Sequence, residues 1–425
     1  LSGQRKSGSF GEYAFARLEH SGYPRTMKIL KSFRFRLEPT TEQSQCLTRY
    51  RGCARLVWNK ALALQKGRLE AGYPLLSYEE LARLLTLWRH SEEYGFLANA
   101  PVHPLQWTLK FLDRAIRAAF DKSNPARFPT FKKKNGDEAG LRFPDPKQIK
   151  LNLSTKDADG RCVLPKVFLP KIGWVKFRKS RTIDGTIRNA TVTWQAGHWF
   201  ISFQTEIDVP EPVHPSESAV GIDRGIVHFA ALSDGTFVDA PGWFRRHETK
   251  LAWEMRKLSR KKRFSRNWQK QKARIQRLHA HIANARRDFL HKTSTAISKT
   301  HAMVFVEDLR IQNMSKSAKG TRENPGKNVR AKSGLNKAIL DQGWFMFQTF
   351  LGYKLHWLGG WLGAVPAPYT SQTCPVPECG HKSPANRPTQ STFRCERCGY
   401  EGNADTVGAM NILRAGLARI ACSPV

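Results

Sequence analysis

Acidic residues are scarce in this chain. Seventy Lys and Arg face 35 Asp and Glu, a formal net charge of +35 with a sequence pI near 10.2. A surplus of that size needs a polyanionic partner, and nucleic acid is the commonest one. Long apolar runs are missing too. None approaches the roughly 18–20 residues of a membrane span, and the twelve Trp are spread along the chain, so no membrane partner is expected. Cysteine is sparse: of eight in all, Cys46, Cys53, Cys162 and Cys422 are scattered, unlike a secreted disulfide framework. The expected setting is a reducing cytoplasm. Arg5 and Lys6 are followed by no apolar core, so the pattern of a signal peptide is absent. Met27 stands directly before the first patterned strand, and residues 1–26 are expected to be an extension outside the fold.

What is present suffices for packed cores: 40% of residues are apolar, and 425 residues imply two to four domains. Met27–Glu38 alternates, with Ile29, Phe33, Phe35 and Leu37 on one face and Lys28, Arg34 and Arg36 on the other, a half-buried strand with a basic outer face. Thr40-Thr-Glu-Gln43 reads as a capping box. Leu47, Ala54, Val57, Trp58 and Leu62 keep helical spacing, and further helices are predicted over 78–89 and 104–121; their apolar stripes read as core. Strands return at 172–178, 189–195 and 199–207, the last two a hairpin around Ala196-Gly197-His198. One strand before a helical block and several after it suggest a β-barrel with helices inserted. A proline-punctuated stretch near 208–217 marks a domain boundary.

Beyond it, 219–232 is predicted as one long strand, turned by Ser233-Asp234-Gly235-Thr236. Residues 243–300 are helical, with 18 Lys and Arg against three acids, a single-sign density that favours phosphate contact. Met303–Leu309 contains a second core strand ending in an acid. Residues 315–334 should be a mobile basic loop, and 335–359 a helix bearing Trp344, Phe347, Leu351 and Leu355. No internal repeat is evident.

Cys374-Pro-Val-Pro-Glu-Cys379 and Cys395-Glu-Arg-Cys398 present four thiolates at a spacing that suits one tetrahedral Zn²⁺, with iron as the alternative. Four sulfurs leave no position for water, so the ion would be structural. Seven residues on, Asp405 opens an amphipathic helix, while Asp223 and Glu307 lie on the two strands upstream. Phosphodiester hydrolysis can run on two Mg²⁺ held by three or four such acids at a sheet edge. Each acid also has a structural reading: Asp223 as a turn residue before Gly225, Glu307 as the partner of a lysine with Asp308 the true ligand, Asp405 as an N-cap. Their joint appearance beside the cysteine set favours a metal-dependent nuclease. His281 and His291 sit in a basic helix without a second ligand and are assigned no site.

Gly221-Ile-Asp223-Arg-Gly, Phe305-Val-Glu307-Asp-Leu, the cysteine set and Asp405-Thr-Val-Gly-Ala-Met-Asn411-Ile together resemble the TnpB family, transposon-encoded RNA-guided DNA endonucleases related to compact type V CRISPR effectors. Weaker echoes stand in Arg55-Leu-Val-Trp58-Asn59 and Pro129-Thr-Phe131-Lys132. The chain departs from the family pattern in the four-residue spacing of its first cysteine pair and in Val407, where Asn is common. The resemblance implies an α+β multidomain fold. A wedge β-barrel (27–39 and 125–210) would be interrupted by a helical recognition domain (40–124). An RNase H-like (RuvC) α/β nuclease (216–369 and 403–425) would follow, carrying a zinc-ribbon insertion (370–402). It also implies Asp223, Glu307 and Asp405 as Mg²⁺-binding catalytic carboxylates, with a guide RNA and target double-stranded DNA as partners. Nucleic-acid contacts are expected at Arg34, Arg36, Trp58, Asn59, Lys132, Lys133, Arg260, Lys261, Lys262 and Arg263. A guide-independent nuclease or transposase and a cleavage-inactive guided repressor stay open as alternatives, as do monomer and dimer.

Overall fold

The computed structural model describes residues 26–134, 140–154, 156 and 162–422. The chain divides into two compact units, one of Met27–Val209 and one beginning at Pro210, at the proline-marked boundary. Apart from Thr26, the extension expected at 1–26 lies outside the described residues.

In the first unit, strand β1 (Thr26–Glu38) buries Ile29, Phe33, Phe35 and Leu37, as its alternation requires. Helix α1 (Thr41–Glu70) then opens on the predicted capping box. The Gln43 N–H donates to the Thr40 hydroxyl at 3.2 Å, and the Thr40 N–H donates to the Gln43 side chain at 3.1 Å. Ser77 and Glu80 cap α2 (Tyr78–His90) in the same way, and α3 (Val102–Phe120) completes the helical block. Six more strands follow: β2 (Leu141–Phe143), β3 (Lys150–Asn152), β4 (Lys166–Leu169), β5 (Gly173–Arg178), β6 (Thr186–Gln195) and β7 (His198–Pro210). With β1 they form a curled sheet in the order β2-β6-β7-β1-β5-β4-β3. Its edge strands, β2 and β3, are three residues each, and among the described residues no ladder pairs one with the other. Ala196 and Gly197, at φ 48° and 89°, make the two-residue turn that joins β6 to β7. The rings of Phe35, Phe177 and Phe203 meet at 5.5–6.2 Å inside a core shared with Leu47, Val57 and Leu62 of α1.

The second unit is built on β8 (Ala219–Asp223), β9 (His228–Leu232), β10 (Phe237–Asp239), β11 (Met303–Glu307) and β12 (Trp361–Val365), in the order β10-β9-β8-β11-β12. Strands β8, β11 and β12 run parallel; β9 is antiparallel to β8, and β10 to β9. The single strand predicted over 219–232 is therefore a hairpin. The chain reverses at Gly225, whose N–H donates to the Phe229 carbonyl at 3.3 Å. A Cβ there would stand 2.8 Å from the His228 oxygen, so the reversal requires glycine. Both arms are buried, which is why their apolar runs read as one.

Helices α4 (Trp243–Ser259) and α5 (Arg266–Thr300) form the basic pair. The predicted helix over 335–359 is two, α6 (Val329–Gln342) and α7 (Trp344–Leu358), because Gly343 at φ 72° ends the first. Since α6 starts at Val329, the basic loop is shorter than the predicted 315–334; its polar composition hid the first helical turns. Val220, Ile222, Val304 and Val306 face α5 and α7, packing with Leu290, Ile297, Phe347, Leu351 and Leu355. The opposite face of β8 and β11 carries Gly221, Asp223, Phe305 and Glu307, and α8 (Ala404–Ala421) covers it. Between β12 and α8 lies the cysteine segment with its hairpin of β13 (Thr392–Arg394) and β14 (Glu401–Asn403).

Helix and strand touch backbone to backbone. A Cβ on Gly221 would stand 2.1 Å from the Ala409 oxygen and 2.6 Å from the Leu413 nitrogen. Gly221→Ala should therefore destabilise this unit by about 1–3 kcal/mol, the range for overpacking. Gly52→Ala in α1, where a Cβ meets nothing within 4 Å, should leave stability unchanged or raise it. Calorimetry of the two variants checks the contrast; equal melting profiles would refute the contact.

Candidate active site and four-cysteine cluster

Val306 lies beside Ile222 in the parallel ladder, so the next residues, Glu307 and Asp223, occupy matching positions on neighbouring strands and share a face. Asp405 is the second residue of α8. Asn403 caps that helix, its side-chain oxygen accepting from the Asp405 and Thr406 N–H groups at 2.9 and 3.3 Å. Asp405 and Gly408 stand three apart on one helix face, and a Cβ on Gly408 would be 2.8 Å from Asp223 Oδ2. Absence of a side chain at 408 is what lets the Asp223 carboxylate sit against the helix that brings Asp405.

Neighbouring charges act on Asp223. Burial, then the Glu307 and Asp405 carboxylates, push Asp223 up to about 7, while Arg387 and Arg224 oppose the rise. Burial also raises Glu307, against a 2.7 Å hydrogen bond donated by Thr370 Oγ1 to its Oε1 and against the charge of Arg224. Two carboxylates that resist ionising, with a third acid on the facing helix, fit a hard divalent cation, whose charge reverses that resistance. Their spread is wider than that of the sulfurs: among the described residues, only the cysteines place three or more such ligand atoms all within 4.8 Å.

The structural readings of the acids fare differently. Asn403, not Asp405, is the N-cap. Glu307 takes its hydrogen bond from Thr370, and no lysine pairs with it among the described residues. Asp308 is exposed, and its N–H goes to the Val365 carbonyl at 2.8 Å. Asp223 does precede the turn, yet its carboxylate points to α8.

Sequence reasoning gave no role to four side chains that shape the site. Arg224, buried, donates Nη2 to the Glu307 backbone carbonyl and Nη1 to Gln348 Oε1 at 3.1 Å, and burial lowers its pKa to about 10. Arg387 of the cysteine segment brings Nη2 to 3.6 Å from Asp405 Oδ1. Asn411 Nδ2 donates to the Thr370 and Thr373 carbonyls at 2.8 and 2.7 Å, fixing the turn that holds Thr370. Arg224 and Asn411 stood inside the quoted motifs; Thr370 and Arg387 had no local signal.

The cysteines gather as their spacing predicts. Cys374 and Cys398 sulfurs lie 3.5 Å apart, those of Cys379 and Cys395 3.7 Å, and none is in a disulfide. The longer first loop closes on itself through the Cys379 and Gly380 N–H groups, which both donate to the Val376 carbonyl at 3.1 Å. Fully buried Asn386 clips the segment together, donating to the Gln372 and His381 carbonyls and accepting from the Glu396 N–H.

The expected nucleic-acid contacts fall into two kinds. Trp58 donates to the Thr130 carbonyl at 3.1 Å, and both side-chain polar atoms of Asn59 bond the Lys132 backbone, at 3.0 and 2.8 Å. Lys132 Nζ stands 3.7 Å above the Trp58 ring. These residues pin the 130–132 segment, so an internal clamp explains them. Arg34 bonds Gln195 at 2.6 Å and lies 4.1 Å over Phe200, and Arg36 is 3.2 Å from Glu38. Lys133 is exposed. In the other unit, Arg260, Lys262 and Arg263 are exposed at the tip between α4 and α5, with Lys261 half-buried. His291 stacks on Phe350 at 3.9 Å, and His281 lies 5.4 Å from the His247 ring.

Acids at the ends of two neighbouring parallel strands, met by a third from a helix, are suited to divalent-metal chemistry on phosphodiesters, and the charge of the whole chain suits a nucleic-acid substrate. The class is that of nucleic-acid enzymes. Residues 202–318 match a family described as probable transposase, 344–412 the Cas12f1-like TNB domain, and 27–73 a helix-turn-helix domain, although that last stretch here is β1 and the single helix α1. The chain is 48% identical over 396 residues to "Putative RNA-guided DNA endonuclease InsQ" of Escherichia coli K12, covering 93% of this chain and 94% of that one. It is 33% identical over 409 residues to "Putative RNA-guided DNA endonuclease" of Streptomyces pristinaespiralis, covering 93% and 91%. A solved structure of the mini-RNA-guided endonuclease CRISPR-Cas phi3 aligns over 92% of each chain at 10% identity and a TM-score of 0.47. The chain belongs to the TnpB family.

The raised Asp223 value carries a pH consequence. The folded acid keeps its proton from about pH 4 to about 7, where the unfolded chain has released it, so without a divalent cation stability falls as pH rises through that window. Asp223→Asn removes the penalty, up to roughly 4 kcal/mol at about 1.4 kcal/mol per unit. In cation-free buffer the variant should melt higher than the parent at pH 8 and alike at pH 4. Parallel pH profiles in calorimetry would contradict this.

Proposed function

We propose that this chain is an RNA-guided DNA endonuclease that uses Mg²⁺ and cuts double-stranded DNA beside a short flanking motif, under a guide RNA derived from a transposon end. The observation that supports the reading is geometric: Asp223 and Glu307 hold matching positions on neighbouring parallel strands, and the helix packed against the Asp223 carboxylate carries Asp405 in its first turn. Mg²⁺ bound there, two ions in this reading, would supply an activated water and charge relief at the leaving oxygen, giving 5′-phosphate ends. Asp223, Glu307 and Asp405 serve as the ligands. Thr370 holds one oxygen of Glu307 in place, and Arg224 ties the backbone beneath it. The basic helices α4 and α5 grip the single strand that approaches the acids.

The domain reading follows the family: a wedge domain in 27–39 and 125–210, a helical recognition domain in 40–124, an RNase H-like nuclease in 216–369 and 403–425. A ribbon in 370–402 holds one structural Zn²⁺ on Cys374, Cys379, Cys395 and Cys398 and contacts the target. Base pairing with the guide reads sequence, which leaves the protein to grip backbone and inspect a duplex edge. The intact set of three acids argues against a cleavage-inactive repressor. Sequencing of co-purified RNA separates the guided from the guide-independent reading: one uniform guide-bearing species supports the former.

Asp223→Ala should lower DNA cleavage by roughly three orders of magnitude or more while RNA affinity stays within about twofold. Normal cutting by this variant sinks the assignment. Elemental analysis should find one zinc per chain, lost in Cys395→Ser. That variant should also cut more slowly, because Arg387 and Thr370 lie on or beside the segment the metal would order. Full zinc content in Cys395→Ser would exclude the four-sulfur site.

A further inference from the structure

Four adjacent strands of the first unit, β2, β6, β7 and β1, line an open polar cavity of about 300 Å³, to which β1 also contributes Lys31 and Ser32. The register explains its chemistry. Arg142 pairs with Thr191 and Thr191 with Ser202, while Asn189 pairs with Gln204 one row along. These five side chains project from one face, and Ala190, Val192, Ile201 and Phe203 fill the core from the other. Leu30, more than half exposed, stands at the rim.

Arg142 is the unusual member. Its guanidinium lies 4.4 Å over the Trp107 ring, with Nη2 3.4 Å from Gln204 Oε1 and a buried Nε that has no hydrogen bond. No carboxylate pairs with it among the described residues; the charge nearest in effect is another cation, Arg114, and burial and that cation both lower its pKa. A half-buried cation beside neutral amides and a like charge lacks the anion that would offset its desolvation. Gln204 Oε1 also accepts from Asn189 Nδ2 at 2.7 Å. This leaves the Gln204 amino group and the Asn189 oxygen as an adjacent donor and acceptor with no partner among the described residues. An unpaired nucleobase edge presents the complementary pair. The volume stands at the small end of ligand sites, room for a nucleotide and too little for a duplex.

We propose that this cavity takes one nucleotide of a single strand, its phosphate on Arg142 and its base edge on the Asn189–Gln204 amides. The inference rests on the nucleic-acid reading above and adds a site to it. RNA and DNA strands share this chemistry, and separate titrations tell them apart.

The test uses the full chain without added Mg²⁺ and labelled single-stranded RNA and DNA of one sequence, with affinity followed by anisotropy at rising salt. Ser202→Leu fills the cavity and keeps the charge. It should weaken binding of one of the strands about tenfold with an unchanged salt slope. Arg142→Gln should weaken the same strand and lower the slope of log affinity against log salt by about one. The responding strand identifies the source. Equal binding by both variants and the parent overturns the cavity alone; so does a loss confined to Arg142→Gln, which would mark a diffuse contact. A parent chain that binds neither strand overturns the nucleic-acid reading with it. On the unmutated chain, thio-base photocrosslinks should map to peptides from β2, β6 or β7, and their absence there refutes the site independently of any folding defect.

Discussion

The close approach of α8 to β8 is the constraint on which the second unit depends. A helix laid on a sheet ordinarily stands off by the width of two side chains. Here Gly221 lets the helix backbone reach the strand, Gly408 leaves space for the Asp223 carboxylate, and Gly416 lies where a Cβ would be 1.9 Å from the Phe305 ring. Glycine inside a helix costs up to about 1 kcal/mol relative to alanine. Two in α8 at an eight-residue interval, on the face that meets the sheet, have a packing reason. The reward is position: Asp405, one turn before Gly408, arrives at the depth of the strand ends and not a side chain above them.

Bringing acids together is electrostatically unfavourable, and the surrounding cations are arranged so as not to cancel the effect. Arg224 is buried beneath the site but gives its hydrogen bonds to a backbone carbonyl and to Gln348, and takes no carboxylate oxygen among the described residues. Arg387 stands 3.6 Å from Asp405, beyond good hydrogen-bond length. A bidentate arginine on Asp223 would have stabilised the empty site and opposed a divalent ion. In a chain of net +35, three acids gathered without a bidentate arginine are an exception to the prevailing charge.

Much of this was legible because it is periodic. The β1 alternation, the Thr40 box, the Ala196-Gly197 hairpin and the cysteine spacing are local patterns, and each has a local physical cause. The readings that failed did so where burial on both sides erased periodicity, as in the β8–β9 hairpin, or where one residue's backbone angle made a break, as at Gly343. The positions of Asp223 and Glu307 at strand ends and of Asp405 at a helix start were legible too. Their partners were not: Thr370 and Arg387 reach the site only through the path of the loop after β12, which no spacing encodes. Trp58 and Asn59, singled out in the sequence for aromaticity and polarity, bond the 130–132 backbone, a partner that no local pattern announced.

The cysteine segment is tied to the carboxylates at both of its ends. Asn403 is the last residue of β14 and also the cap of α8, so no slack separates the ribbon from Asp405. At the entry, Asn411 on the same helix holds the carbonyls of Thr370 and Thr373, and Thr370 in turn holds Glu307. Cys374 follows Thr373 directly. A metal that orders the four sulfurs therefore acts on both anchors of the helix that carries Asp405 and on the hydroxyl that orients Glu307. A metal on the four sulfurs would thus couple the order of the cysteine segment to the placement of the three acids.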